Sequence, residues 1–305
     1  MIAIIAVIAI SVWVGVQAER RRPGRAGQAS RQALSGLLYT LIPFVIFFNL
    51  ARVDFDADLA GGVGLGLLAV GIAGLAAWLI AARLEHLRRD QVGAVIVCTL
   101  VANTGYLGYP LIGALYGFDR IGEAVVYDVG VSAPALLLGA FAVGAAFGSK
   151  AGETPLQRVG AFFTRNPPLF AAIAALIVPN SFAPDLLVDI SRILTIAILP
   201  IGFFAVGAAI EEEAEEGVIR LPPPISKPTA TVILTKLVIL PAVLVALALP
   251  LIDLPETFIV LALMPAGLNS MIVAHAYGLD LRVTAEAVTW TTAIVVVGAL
   301  VASLL

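Results

Sequence analysis

The chain has 305 residues, of which 60% are hydrophobic and 13% charged, and its mean hydropathy is +1.03. That balance excludes an ordinary soluble globular chain and makes lipid the solvent for most of it. A net charge of −3 offers no basic footprint for nucleic acid, and the one cysteine, Cys98, can form neither an internal disulfide nor a metal site, so it reads as a packing residue.

The first apolar run, Ile2 to Ala18, has no basic residue before it and is followed directly by Arg20, Arg21, Arg22 and Arg25. That order fits an uncleaved span with an external amino terminus and not a secretory leader. A crossing needs roughly 20 apolar residues to traverse about 30 Å of hydrocarbon. Further runs follow at Ala33 to Ala51, Leu59 to Ala82, Val92 to Tyr116, Gly122 to Gly148, Pro167 to Phe182, Leu186 to Ile210, Thr229 to Leu251, Thr257 to Tyr277 and Val283 to Leu304. The sixth is short and carries Pro167, Pro168 and Pro179. The expected fold is an all-α polytopic membrane protein with ten transmembrane helices.

Loops after odd-numbered spans hold Arg20, Arg21, Arg22, Arg25 and Arg31; Arg83, Arg88 and Arg89; Lys150, Arg158 and Arg165; Arg220 and Lys227; and Arg282. The other loops hold only Arg52, Arg120 and Arg192. The positive-inside rule therefore puts the odd loops in the cytoplasm and both termini outside a multi-pass protein of the cell membrane. The acidic run Glu211, Glu212, Glu213, Glu215 and Glu216 falls in a cytoplasmic loop, where it reads as a solvated segment, because acidic residues count little in that rule.

The polar linker 149–165 leaves residues 1–148 and 166–305 with five expected spans each. An odd number per half inverts the second half, the usual construction of secondary transporters. Leu41-Ile42-Pro43-Phe44 in the second span corresponds to Ile198-Leu199-Pro200-Ile201 in the seventh, and Tyr116-Gly117-Phe118-Asp119 to Tyr277-Gly278-Leu279-Asp280 after the fourth and ninth.

Between these markers, the fourth span carries Asn103, Thr104, Gly105, Tyr106, Gly108 and Pro110, and the ninth carries Pro265, Gly267, Asn269 and Ser270. Two glycines, an Asn and a proline without an N–H break a helix, and unwound backbone at membrane depth is tolerated only against protein or a cavity. Two breaks in corresponding spans point to a substrate site, where restarting half-helices present free N–H groups to a small anion. The alternative is a packing kink that lets neighbouring helices approach.

At these residues the sequence resembles the auxin efflux carrier family, within the wider group that includes the bile acid sodium symporters. Ala102 to Pro110 with Tyr116-Gly117, and Met264-Pro265, Asn269-Ser270 and Tyr277-Gly278, carry the resemblance, supported by Pro43, Leu199-Pro200 and Lys236 to Pro241. It implies crossing fourth and ninth helices, a scaffold and a mobile domain, transport of small organic anions by elevator-type alternating access, and a homodimer. On this reading Asn103, Thr104, Gly105, Tyr106, Pro110, Pro265, Asn269 and Ser270 bind substrate, with no cofactor and no metal. The alternative is a sodium-coupled organic anion symporter.

Ionisable groups inside spans are functional candidates. Asp128 and Lys236 are candidates for coupling or charge sensing, though Lys236 also falls within snorkelling range of the headgroups. Glu286, four residues after Arg282, reads as a surface ion pair, and His275 as an interfacial residue. An intramembrane enzyme needs a nucleophile with its base, or a metal-binding cluster, and the spans carry no such pattern.

Overall fold

The computed structural model describes residues 2–149, 167–215 and 223–302. The linker from residue 150 onward, with Lys150, Arg158 and Arg165, lies outside the described residues, as do Glu216 and Arg220.

The described chain is helical, apart from one isolated backbone bridge. Its elements are α1 (Ile2–Arg21), α2 (Arg25–Leu50), α3 (Ala57–Arg83), α4 (Arg89–Leu100), α5 (104–116) and α6 (Phe118–Phe147). There follow α7 (Pro167–Ile177), α8 (Asp185–Glu215), α9 (Lys227–Ala248), α10 (Glu256–Ala262), α11 (Asn269–Tyr277) and α12 (Leu281–Ala302). Six of them, α2, α3, α6, α8, α9 and α12, are long and apolar enough to cross a membrane, and α7 is a shorter apolar helix. The six coincide with the expected second, third, fifth, seventh, eighth and tenth spans. The expected fourth and ninth are each two short helices, α4 with α5 and α10 with α11.

The second helix begins at Arg25, eight residues earlier than the apolar run. Glu19 explains this: its buried carboxylate accepts from the N–H groups of Gly24 and Gly27, neutralising the first turn of α2. Gly24 turns the chain there at φ 76°.

Four helices contain a widened i→i+5 turn that ends two residues before a proline: Leu37–Leu41 before Pro43, Thr104–Gly108 before Pro110, Asp128–Ser132 before Pro134, and Thr235–Ile239 before Pro241. A proline ring clashes with the carbonyl four residues back and cannot donate to it, and a widened turn relieves both.

The helices pack in two groups. One contains α1, α2, α7 and α8; the other gathers α3, α4, α9 and α12 around the short helices, with α6 running alongside. The backbones of α1 and α8 touch: a Cβ on Gly15 would overlap the Phe204 carbonyl, and a Cβ on Gly207 would overlap that of Val12. Paired glycines allow this close approach, which gains dispersion contacts where lipid supplies no hydrophobic drive.

Polar contacts sort by end of the molecule. Arg20 pairs with Glu211 at 2.6 Å, Arg31 with Glu212 at 2.9 Å and Arg88 with Asp280 at 3.0 Å, and Thr231 donates to Glu85. Each joins segments expected on one side. Arg52 with Asp185 at 2.6 Å, and Thr257 with Glu123 at 2.7 Å, join segments expected on the other.

Candidate functional site at the crossing

Helix α4 ends at Leu100, and Val101 is extended at φ −86°, ψ 117°. The chain continues through Asn103 (φ −89°, ψ 58°) before α5 restarts with its widened turn. In the second half, α10 ends at Ala262, and Pro265 forces the backbone before it out of the helical region. The two non-helical pieces meet antiparallel, Ala102 opposite Ala266. The Asn103 N–H donates to the Pro265 carbonyl at 2.9 Å, and the Gly267 N–H returns to the Val101 carbonyl at 3.1 Å. A Cβ on Gly267 would lie 2.9 Å from the Ala102 carbonyl oxygen, so this approach requires glycine. The Ala266 N–H is satisfied by Thr291 Oγ1 of α12 at 3.1 Å. Unwound backbone is thus paired and enclosed by protein, with Val101, Met264 and Ala266 buried.

Beside the crossing is a cavity of about 460 Å³. Val101 to Tyr106 and Gly267 to Asn269 form one wall, and α6, α2, α7 and Ile272 of α11 form the rest. The far walls are apolar, with Ile42, Leu136, Leu137 and Phe141. Three polar groups stand against them. Asp128, exposed toward the cavity, accepts from the Thr104 hydroxyl and, at 2.6 Å, from the Tyr109 hydroxyl. Asn103 is 5% exposed and its Oδ1 has no hydrogen-bond partner; Ser132 is 7% exposed and its Oγ is likewise unpartnered. Starting a helix also leaves its first N–H groups without intrahelical acceptors, here those of Thr104, Gly105 and Tyr106. In α11, the N–H groups of Ser270 and Met271 are taken by Gly267 and Leu268, which leaves those of Leu268 and Asn269 at the front.

Of the site residues read from the sequence, Asn103, Thr104, Gly105, Tyr106, Asn269 and Asp128 line the cavity. Pro110, Pro265 and Ser270 do not. Pro110 is buried within α5, Pro265 supplies a carbonyl to the crossing, and the Ser270 hydroxyl donates to the Gly267 carbonyl at 2.6 Å. Lys236 is 1% exposed, so it does not snorkel outward; it lies behind the crossing beside Cys98, which is fully buried against Ser270 and Thr284. Glu286 does pair with Arg282, at 2.9 Å, but it is 0% exposed, not a surface residue: Ser226 and Thr229 also donate to it, at 2.6 and 2.8 Å. His275 is exposed. Among the described residues no cluster of His, Cys, Asp and Glu could hold a metal ion.

The sequence reading missed Ser132, Phe141, the Pro167-Pro168 start of α7, and Thr291. For Ser132 a signal existed, since it follows Asp128 by one helical turn on the same face. Thr291 and Pro167 carry none, because their proximity to the crossing is purely tertiary.

No family model matches the chain. It is 22% identical over 273 residues to a protein of Methanocaldococcus jannaschii named as an uncharacterized transporter, covering 84% of this chain and 83% of that one. This relative, together with the helical, apolar architecture, supports a multi-pass membrane transporter.

Proposed function

We propose that the chain is a secondary carrier of small carboxylates, mono- or dicarboxylate, with the crossing of α4–α5 and α10–α11 as its substrate site. The observation that carries this reading is the cavity set against two broken segments, where the helices that restart at α5 and α11 begin in its wall. The free N–H groups and positive dipole ends of α5 and α11 are oriented for a carboxylate, and the Asn269 side chain stands at the same wall.

The antiparallel crossing fits two inverted five-span halves, and the two packing groups fit an elevator in which α1, α2, α7 and α8 stay fixed while the rest moves. The cavity walls distant from the crossing, Leu38 of α2, Phe141 of α6 and Pro167 of α7, belong to the ends that the basic-residue count assigns to the cytoplasm. On that assignment the conformation is inward-open. The resemblance to auxin efflux carriers agrees with this reading.

Proteoliposome uptake tests it. Asn103→Ala and Asn269→Ala abolish flux of radiolabelled carboxylates while each variant elutes and unfolds as a folded protein. Unchanged flux in both variants sinks the site assignment.

A further inference from the structure

A bare carboxylate leaves one feature of the cavity unmatched. Asp128 is the only charged side chain lining it among the described residues, and no described basic side chain faces it there. Its oxygens call for a donor from the ligand, and a bare carboxylate has none.

The geometry around Asp128 makes this demand specific. Thr104 and Tyr109 give one hydroxyl to each carboxylate oxygen, which leaves lone pairs on both. Through Thr104 the carboxylate is tied to the first turn of α5, whose N–H groups belong to the same wall. A patch rich in acceptors therefore adjoins a patch rich in donors. A simple anion entering the donor patch meets the charge of Asp128, whereas a ligand that carries its own cation satisfies both patches at once.

Building on the carboxylate-carrier reading, we propose that the substrate is a zwitterion of the amino acid class. Its ammonium lies against Asp128, its carboxylate faces the N–H groups that begin α5 and α11, and an apolar side chain lies toward Leu137 and Phe141. The cavity, at about 460 Å³, accommodates an amino acid with a large side chain.

The test is ligand-induced thermal stabilisation of the purified full chain, using each common amino acid alongside its deaminated acid and its decarboxylated amine. Phenylalanine with 3-phenylpropanoate and 2-phenylethylamine is one such trio. At least one zwitterion is expected to stabilise the wild type at a concentration tenfold or more below that of either partial analogue, on the order of one charge-assisted hydrogen bond. Asp128→Asn removes the preference over the deaminated acid, and Asp128→Glu keeps part of it. If deaminated acids bind as tightly as their amino acids in the wild type, and Asn103→Ala abolishes that binding, the ammonium subsite is wrong and the carboxylate site stands. An amine that outbinds its amino acid also overturns the proposal. If no member of any trio stabilises the wild type, or Asn103→Ala and Asn269→Ala bind as it does, the site itself is misplaced and the zwitterion falls with it.

Discussion

The N–H of Asn103 donates to the carbonyl of Pro265 across 2.9 Å, and so ties together two segments 162 positions apart in the chain. Its reciprocal bond, from Gly267 to Val101, closes a two-bond clasp at the point where both helices are interrupted. Gly267→Ala sets a Cβ 2.9 Å from the Ala102 oxygen and 3.1 Å from its carbonyl carbon, both backbone atoms that cannot rotate away. The expected result is a loss of about 1–3 kcal/mol of stability, seen as a lower unfolding temperature in detergent, together with loss of flux. A variant with wild-type stability and flux shows that the clasp is dispensable.

The α1–α8 contact predicts non-additive substitutions. Gly15→Ala and Gly207→Ala each force the two backbones apart, at about 1–3 kcal/mol. One separation relieves both overlaps, so the double variant is destabilised by less than the sum of the singles. Thermal unfolding of all four proteins completes the cycle, and simple additivity contradicts a shared contact.

Glu286 is expected to matter for stability and not for flux. It is fully buried and holds Ser226, Thr229 and Arg282 to one carboxylate, away from the cavity. Glu286→Ala loses charge-assisted bonds at about 1.5–3 kcal/mol each, with the Arg282 contribution reduced because that side chain is 56% exposed. Glu286→Gln retains an oxygen for the hydroxyls and unfolds between Ala and wild type. Flux per folded molecule stays at the wild-type value in both, and a selective loss of flux would instead place Glu286 in the transport cycle.

Lys236 has no carboxylate within ion-pair distance among the described residues, and it is 1% exposed. Replacing a buried cation that lacks such a partner with an apolar side chain of similar length is neutral or stabilising. Lys236→Met therefore unfolds at or above the wild-type temperature. A marked fall identifies a partner for the ammonium.

Sodium dependence separates the carrier from a sodium symporter. Among the described residues Asp128 is the only charged oxygen ligand in the cavity wall, and one carboxylate falls short of the several converging oxygens that sodium takes, so uptake is expected to persist when sodium is replaced by choline on both faces. Uptake that collapses without a sodium gradient favours the symporter.

Much of this architecture was legible in the residues themselves. The apolar runs, the basic cluster after Ala18, and the Asn, Gly and Pro residues at both breaks rest on local physics: hydrocarbon thickness, charge asymmetry, and the missing N–H of proline. Ionisable side chains were less legible. Lys236 and Glu286 both sit near expected span ends, where long side chains usually reach water, yet both are enclosed by neighbouring helices. Sequence spacing along one helix does not say which neighbour covers it.

What the sequence determined by itself is therefore the class of solvent, the order of the helices and the two places where helices cannot continue, since each depends on residues close together in the chain. Tertiary structure decided that the two breaks pair with one another, that Thr291 closes the Ala266 N–H, and that Asp128, Asn103 and Ser132 share one cavity while Ser270 and Lys236 lie behind it. The pairing of the breaks alone joins Val101 to Gly267, 166 positions apart. Such relations exist only once packing has chosen which helix faces are neighbours.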